Sequence, residues 1–157
     1  MRLRTAQLAD AEAIAALWRA SIRITCAPAY GYDEAVIGPW AESKTAQTVA
    51  ELIACEEFFL VADEGGVIAG FLCGSFSLNT FALYVDPVRQ HGGVGTRLFR
   101  CYENLARVSG QRELSFHSSL NAVPFYEKQG AVVTGEPVTE PRPCIPMRKV
   151  ITPYESI

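Results

Sequence analysis

The stretch that decides the fold is Leu83-Tyr84-Val85-Asp86-Pro87-Val88-Arg89-Gln90-His91-Gly92-Gly93-Val94-Gly95-Thr96. It runs from an apolar strand pattern, through a loop with three glycines, into a pattern that repeats at helical spacing over residues 94–108. The first turn of a helix has amides without internal acceptors, and its aligned peptide dipoles make that end partly positive. Because glycines let a ligand approach such amides, the stretch is suited to cradle an anion such as a pyrophosphate.

A plainer interpretation of the same glycines is a turn whose helix start is simply solvated, because a glycine motif alone is weak evidence. Two familiar nucleotide-binding motifs do not match. A P-loop ends in Gly-Lys-Ser or Gly-Lys-Thr, whereas Gly95 is followed by Thr96 and Arg97. A Rossmann fingerprint needs a third glycine at the position of Leu98.

Around this stretch the sequence predicts one α/β domain over residues 1–157, without repeats or linkers. Strands are expected at residues 1–5, 58–62, 67–76, 80–85, 114–117, 131–134 and 145–150. Helices are expected after caps at Asp10 and Asp33, and at residues 43–55, 94–108 and 120–129. On the helix at residues 43–55, Thr48, Leu52 and Cys55 are the expected inner face. The glycines at 65 and 66 indicate a hairpin turn.

The composition excludes several classes of protein. Of 157 residues, 49% are hydrophobic and 20% charged, which excludes a disordered tail or a fibre. The net charge of −3 gives no basic excess, so nucleic acid is not an expected partner. Residues 65–85 carry no charge but are rich in polar residues and glycine, so two strands rather than a membrane span are expected.

The five cysteines are widely spaced and show neither a CxxC pair nor an even count. This pattern indicates reduced, mostly buried thiols, a cytoplasmic location and no metal site.

The glycine stretch resembles the signature of the GNAT superfamily of N-acetyltransferases, which is Gln or Arg, two residues, Gly, one residue, then Gly or Ala. Here it is Gln90-His91-Gly92-Gly93-Val94-Gly95, preceded by a strand and Asp-Pro. A second motif, an aromatic-Tyr-Glu-x-x-Gly-Phe run, matches Phe125-Tyr126-Glu127-Lys128-Gln129-Gly130, with Ala131 in the place of the final Phe. The order of elements agrees over nearly the whole chain. The resemblance implies an α/β fold with a mixed, mostly antiparallel central sheet of about six to seven strands, flanked by about four helices.

The resemblance also implies acetyl-CoA as the donor. The strand at Leu83, Tyr84 and Val85 would offer backbone groups to the pantetheine arm. The pyrophosphate would bind main-chain amides of Gln90, His91, Gly92, Gly93, Val94, Gly95 and Thr96. Ser119 stands where the family often has Asn, and this departure weakens one contact. Asn121 is near enough in sequence to take that contact over, or to serve only as a helix cap.

Tyr126 matches the family's general acid, which protonates the departing thiolate. Its alternative role is a half-buried helix aromatic. A general base is harder to assign, because Asn79 and Phe116 occupy positions where the family sometimes has acids. His117 is the candidate base, since imidazole changes charge near neutral pH. The alternatives are a water relay, no dedicated base, or a histidine that only hydrogen-bonds at a strand end. His91 is expected to face solvent or phosphate.

The expected acceptor is a small-molecule amine, with a protein amine second, attacked directly in a ternary complex. The pocket would be walled by Tyr30, Tyr32 and Trp40, of which Trp40 is favoured as a core residue, and by the loop at residues 135–143. Glu136 and Glu140 in that loop attract cations or are simply solvated. A non-catalytic acyl-CoA sensor and a plain nucleotide-binding protein are the alternative functions, and a homodimer is left open.

Overall fold

A computed structural model describes residues 1–154, and its chain divides into two compact units, Met1–Leu98 and Phe99–Ile157. The first unit holds a four-stranded sheet built from β1 (Arg2–Thr5), β2 (Phe58–Glu64), β3 (Val67–Ser75) and β4 (Thr80–Val85). These strands are neighbours in chain order, and each pair is antiparallel. The predicted hairpin is present, and both Gly65 and Gly66 have positive φ, as a two-residue turn of this hand requires.

Three α-helices precede β2: α1 (Ala11–Ala20), α2 (Glu34–Glu42) and α3 (Ala46–Cys55). A six-residue π-helix (Ser21–Cys26) and a 3₁₀ turn (Ala27–Tyr30) continue α1, and the sequence pattern did not predict either. The predicted inner face of α1 is buried at Ile14, Leu17 and Trp18, and Ile22 in the π-helix is buried too.

Two predicted details of these helices are wrong. Asp10 stands before α1, but its carboxylate accepts hydrogen bonds from the Gln7 amide and from Arg4 instead of capping the helix. The helix predicted at residues 43–55 begins at Ala46, because the Thr45 hydroxyl accepts a hydrogen bond from the Thr48 amide and caps it there.

The buried residue of α3 is Val49 rather than the predicted Cys55. Because 3.6 residues make a turn, a face centred on Val49 leaves Cys55 in solvent. The expectation of mostly buried thiols is therefore wrong as well. Cys26 and Cys73 are buried, Cys55 is exposed, and Cys101 and Cys144 are half-buried.

The second unit contains most of α4 (Val94–Val108), which begins in the first unit, and α5 (Val123–Lys128). Its antiparallel sheet joins β5 (Glu113–Ser119), β6 (Val132–Val133) and β7 (Cys144–Val150) in the order β5-β7-β6. An aromatic cluster of Phe99, Phe116, Phe125 and Tyr126 forms its core, with ring centroids 4.7–6.3 Å apart.

The fold class predicted from the sequence is confirmed: helices pack with antiparallel sheets in a mixed α/β fold. The part of the chain that the structure describes contains seven strands, within the predicted range, in a four-stranded and a three-stranded sheet. Residues 1–154 contain five α-helices where about four were expected. None of the helices described is both long enough and apolar enough to cross a membrane.

Candidate functional site

Strand β4 is the edge of the first unit's sheet, and its hydrogen-bond pattern decides which backbone groups are available. The Asp86 amide donates to the Ala69 carbonyl at 2.8 Å. Backbone direction alternates along an antiparallel strand, so the groups of Tyr84 also face β3, whereas those of Leu83 and Val85 face outward. The sequence expected all three to offer main-chain groups. Of these three residues, Leu83 and Val85 are therefore the two whose backbone N–H and C=O groups point away from the sheet edge.

A network of side chains shapes the turn after β4. Asp86 accepts a hydrogen bond from the Val88 amide at 3.1 Å and caps the 3₁₀ turn Pro87–Arg89. Arg89 bridges this turn to the neighbouring hairpin, 2.7 Å from Asp86 Oδ2 and 3.1 Å from Glu64 Oε2. Gln90 Nε2 donates to the outward-facing carbonyl of Val85 at 3.1 Å. The Gln90 side chain therefore fixes the strand end, a role that the sequence did not predict.

The glycine loop has the backbone geometry expected of a ligand cradle. His91 and Gly93 have φ of 65° and 85°, and a Cβ placed at Gly93 would meet no atom within 4 Å. Helix α4 begins at Val94, and the Arg97 amide donates to the Gly93 carbonyl at 3.1 Å. The amides of Gly93, Val94 and Gly95 precede that bond and have no acceptor inside the helix. His91 itself is exposed.

Gly70 on β3 sets how closely α4 approaches the sheet. A Cβ there would lie 2.8 Å from the Tyr84 carbonyl oxygen and 3.1 Å from the side chains of Val94 and Leu98. Only glycine leaves this space, so the first turn of α4 packs directly on the strand beside β4. The loop is thereby held against the carboxyl end of β4.

In the second unit, Tyr126 lies on α5 and is 5% exposed. Its ring packs on Phe116 at 4.7 Å and on Phe99 at 5.6 Å between centroids. Tyr126 is therefore more deeply buried than the half-buried aromatic residue that the alternative interpretation assumed.

Asn121 lies within the short 3₁₀ turn Leu120–Ala122 that leads from β5 into α5, and Ser119 directly precedes that turn. The Oδ1 atom of Asn121 is buried and has no hydrogen-bond partner among residues 1–154. A buried amide oxygen without a donor is costly, so this atom has the chemistry to accept a ligand N–H group. Ser119 is half-buried, and its carbonyl accepts a hydrogen bond from the Ser118 hydroxyl at 2.7 Å.

His117 lies on the other face of β5 from the aromatic cluster. Burial alternates along this strand, with Phe116 and Ser118 buried and His117 exposed. Because Tyr126 packs on Phe116, His117 and Tyr126 are on opposite faces of the second unit's sheet.

Reasoning from the sequence missed a carboxylate clamp at the β3–β4 turn. Glu57 accepts hydrogen bonds from the hydroxyls of Ser75 and Ser77 and from the amides of Phe76 and Ser77. The Ser75 hydroxyl, then that of Ser77, lower the pKa of Glu57 to about 2. The serines at 75 and 77 were the available signal, but nothing in the sequence pairs them with a residue 18 and 20 positions earlier.

Of the three aromatic residues expected to line the acceptor pocket, two lie in the core and one lies on the surface. Tyr30 and Trp40 are buried and their rings meet at 5.4 Å. Tyr32 is 71% exposed and has a φ of 56°, which is unusual for a bulky residue. Glu136 and Glu140 are exposed.

Comparison with protein families places this edge strand, glycine loop and helix in a known group. The sequence model described as an acetyltransferase (GNAT) domain matches residues 26–151. The chain belongs to the GNAT acetyltransferase family. Membership makes the protein an acyltransferase, and the match includes both motifs that pointed to the family. Comparison with curated protein sequences finds no match.

Solved structures with the same GNAT fold cover nearly the whole chain. A GCN5-related N-acetyltransferase from Rhodopseudomonas palustris is 28% identical with a TM-score of 0.84, over 95% of this chain and 94% of that one. The PaiA N-acetyltransferase from Thermoplasma acidophilum, solved with coenzyme A, is 23% identical with a TM-score of 0.78, over 95% and 98%. An aminoglycoside 6′-N-acetyltransferase complexed with coenzyme A is 18% identical with a TM-score of 0.70, over 99% and 100%.

Proposed function

We propose that the protein is a single-domain N-acetyltransferase that transfers the acetyl group of acetyl-CoA to a primary amine, with a small molecule favoured over a protein amine. The observation that carries the proposal is the outward-facing edge of β4 followed directly by a glycine loop and the start of α4. A cytoplasmic location stays a prediction from cysteine usage, and a homodimer stays open.

In the donor site, Leu83 and Val85 supply main-chain groups to the pantetheine arm, and Tyr84 supports the strand by bonding to β3. The pyrophosphate accepts hydrogen bonds from main-chain amides between Gln90 and Thr96. The partly positive N-terminal end of α4 favours this binding of an anion. Asn121 satisfies its buried Oδ1 with an amide N–H of the arm, and Ser119 adds a hydroxyl nearby in sequence. These features of the chain fit an elongated ligand with a phosphate group at one end.

Acetyl-CoA supplies the acetyl group as an activated thioester. The hydroxyl of Tyr126 donates a proton to the sulfur as it leaves. His117 takes a proton from the attacking amine, which must be neutral to react. Because His117 lies on the opposite face of the β5 sheet from Tyr126, this proton reaches His117 through a water relay rather than by direct contact.

A covalent acetyl-cysteine is not part of the proposal. Burial raises the pKa of the Cys73 thiol well above its ordinary value and also raises that of Cys101. Both thiols are therefore poor sources of the thiolate that nucleophilic catalysis needs. The proposal is direct attack by the amine on the thioester.

The test combines binding and transfer. Calorimetric titration with acetyl-CoA, CoA and ATP should show binding of both CoA species and none of ATP. A thiol-release assay with a panel of primary amines should then show turnover. Binding of CoA without transfer to any amine would leave the sensor alternative in place. Binding of ATP in preference to CoA would overturn the proposal.

A further inference from the structure

One face of the first unit's sheet carries an unexpected pair of opposite charges beside β4. The register places Phe71 opposite Tyr84, Cys73 opposite Ala82 and Ser75 opposite Thr80. These six side chains share a face because opposite residues in an antiparallel pair point the same way. Trp18 of α1 packs on Phe71 at 4.8 Å and on Tyr84 at 5.4 Å, so this is the face that α1 covers.

The positive charge is Lys44, in the segment between α2 and α3. Its Nζ lies 4.3 Å from the centroid of the Trp18 ring, a distance at which the ring attracts a cation. Its carbonyl oxygen accepts a hydrogen bond from Arg19 Nη1 at 2.6 Å, which ties the segment to α1. Lys44 is half-buried, so this ammonium is held at the edge of the α1 face and does not extend freely into solvent.

The negative charge is Glu56, at the end of α3. Its Oε2 accepts a hydrogen bond from the Thr80 hydroxyl at 3.1 Å, which places the carboxylate at the start of β4. The neighbouring Glu57 has a different task, because both of its oxygens hold the β3–β4 turn. Of these two consecutive carboxylates, Glu56 is therefore the one that hydrogen-bonds to a side chain of β4.

Both charges act on the same small area. Burial raises the pKa of the Cys73 thiol, Glu56 raises it further, and Lys44 lowers it, so the thiol lies within range of both. Opposite Cys73 stands Ala82, a half-buried residue that lies between the larger Tyr84 and Thr80 on this face. The Nε1 donor of buried Trp18 has no hydrogen-bond partner within residues 1–154, and a ligand oxygen would satisfy it.

We propose that the acceptor is an amine that carries its own carboxylate, such as a free amino acid, with its amino group drawn to Glu56 and its carboxylate to Lys44. This inference rests on the proposed function. The phosphate-binding loop lies at the carboxyl end of β4, so an arm bound along the strand from that loop leads back toward Ala82 and Thr80. A polycationic amine would place a second positive charge near Lys44 and be disfavoured.

The test compares L-amino acids with their α-carboxamides, which keep the amine and side chain but lose the negative charge. Spermidine and an aminoglycoside represent polycations. The carboxamides have the less basic amines and so a larger neutral fraction, which means that intrinsic reactivity favours them. A preference for the carboxylates must therefore come from the protein. Thiol release gives kcat/KM, and calorimetry on the CoA-bound protein gives the Kd of each amine.

We expect the best amino acid to exceed its carboxamide by about 10-fold or more, as one interaction with a charged group implies. Lys44→Gln should bring the Kd ratio close to one and the kcat/KM ratio to one or below, since intrinsic reactivity favours the carboxamides, with an unchanged Kd for CoA. Glu56→Gln should weaken binding of amino acid and carboxamide alike. Lys128→Gln, which removes the same charge from an exposed position on α5, should leave the preference intact.

Three results would overturn the inference while the proposed function stands: carboxamides as good as amino acids, turnover confined to polycations or protein amines, or a preference that survives Lys44→Gln. A protein that binds CoA but neither binds nor acetylates any amino acid would overturn it too. Failure to bind CoA at all would overturn the proposed function and this inference together.

Discussion

Tyr126 combines a ring that packs in the core with a hydroxyl that can give up a proton, and Tyr126→Phe separates the two. The ring contacts with Phe99 and Phe116 survive the change, so the fold should be retained. Loss of a general acid should lower kcat by about 100-fold or more. Steady-state thiol release measures kcat, and calorimetry should find the same Kd for acetyl-CoA. An unchanged kcat would remove Tyr126 from the chemistry.

Gly93 and Gly110 allow a matched test of the glycine loop. Both have positive φ, and a Cβ at either meets no atom within 4 Å. Alanine at each position should therefore cost a similar amount of stability, about 1–2 kcal/mol. Gly93→Ala should also weaken CoA binding by about 10-fold, because it disturbs amides that bind phosphate.

Gly110→Ala, at the end of α4, should leave CoA affinity unchanged. Urea unfolding measures the stability of both variants and titration calorimetry their affinity. Equal CoA affinities in the two variants would mean that the loop is only a turn.

At the scale of the element, the clamp at the β3–β4 turn makes stability depend on pH. The pKa of Glu57 is about 2 in the folded protein against an ordinary value of 4.5. A carboxyl whose pKa is lowered by folding contributes stability above its unfolded value and loses it as the pH falls. The contribution should be fully present above about pH 5 and disappear between about pH 4.5 and pH 2.

Glu57→Gln should accordingly destabilise the protein most at neutral pH. The difference in unfolding free energy from the wild type, measured by urea titration at pH 6 and pH 3, should shrink at the lower pH. Glu51→Gln, at an exposed position on α3, is the control and should show no such change. A difference that stays constant between the two pH values would show that Glu57 acts through packing alone.

Elements with strong local signals were predictable from the sequence. Strand β4 has the predicted bounds, and the paired glycines at 65 and 66 form the predicted turn. The π-helix after α1 has no such signal, because the residue types at 21–26 are equally compatible with a continued α-helix. Packing in the folded chain decides between the two. The burial of Val49 in place of Cys55 depends on which face of α3 packs against its neighbours, and the start of that helix depends on a single hydrogen bond to Thr45.

For the candidate site, the sequence motifs predict a set of residues, and the structure adds what their side chains and backbone groups contact. The motif indicates Gln90, but the structure adds that its side chain holds the Val85 carbonyl. Tyr84 and Leu83 look alike in the sequence, yet the pairing with β3 turns their backbone groups in opposite directions. Lys44 and Glu56 lie far from both motifs along the chain. Only the packing of α1 and α3 brings them to β4.

At the scale of the whole molecule, the sequence predicts one domain, and the two tryptophans offer a way to test this prediction. Trp18 and Trp40 are the only tryptophans of the chain, and both lie in the unit Met1–Leu98. Tryptophan fluorescence therefore follows that unit, whereas far-UV circular dichroism follows the helices and strands of both. A single domain of this size normally unfolds in one cooperative step.

We therefore expect the fluorescence and circular-dichroism transitions to coincide in urea. The accessibility of Cys101, a half-buried thiol on α4 in the unit Phe99–Ile157, should rise with the same midpoint. Saturating acetyl-CoA, at about 100 times its Kd, should move all three transitions together by about 2.7 kcal/mol. If the fluorescence midpoint separated from that of Cys101 labelling, the units would unfold independently and the single-domain prediction would be wrong. A ligand shift confined to the fluorescence signal would mean that the donor binds through the first unit alone, contrary to the roles proposed for Asn121 and Tyr126.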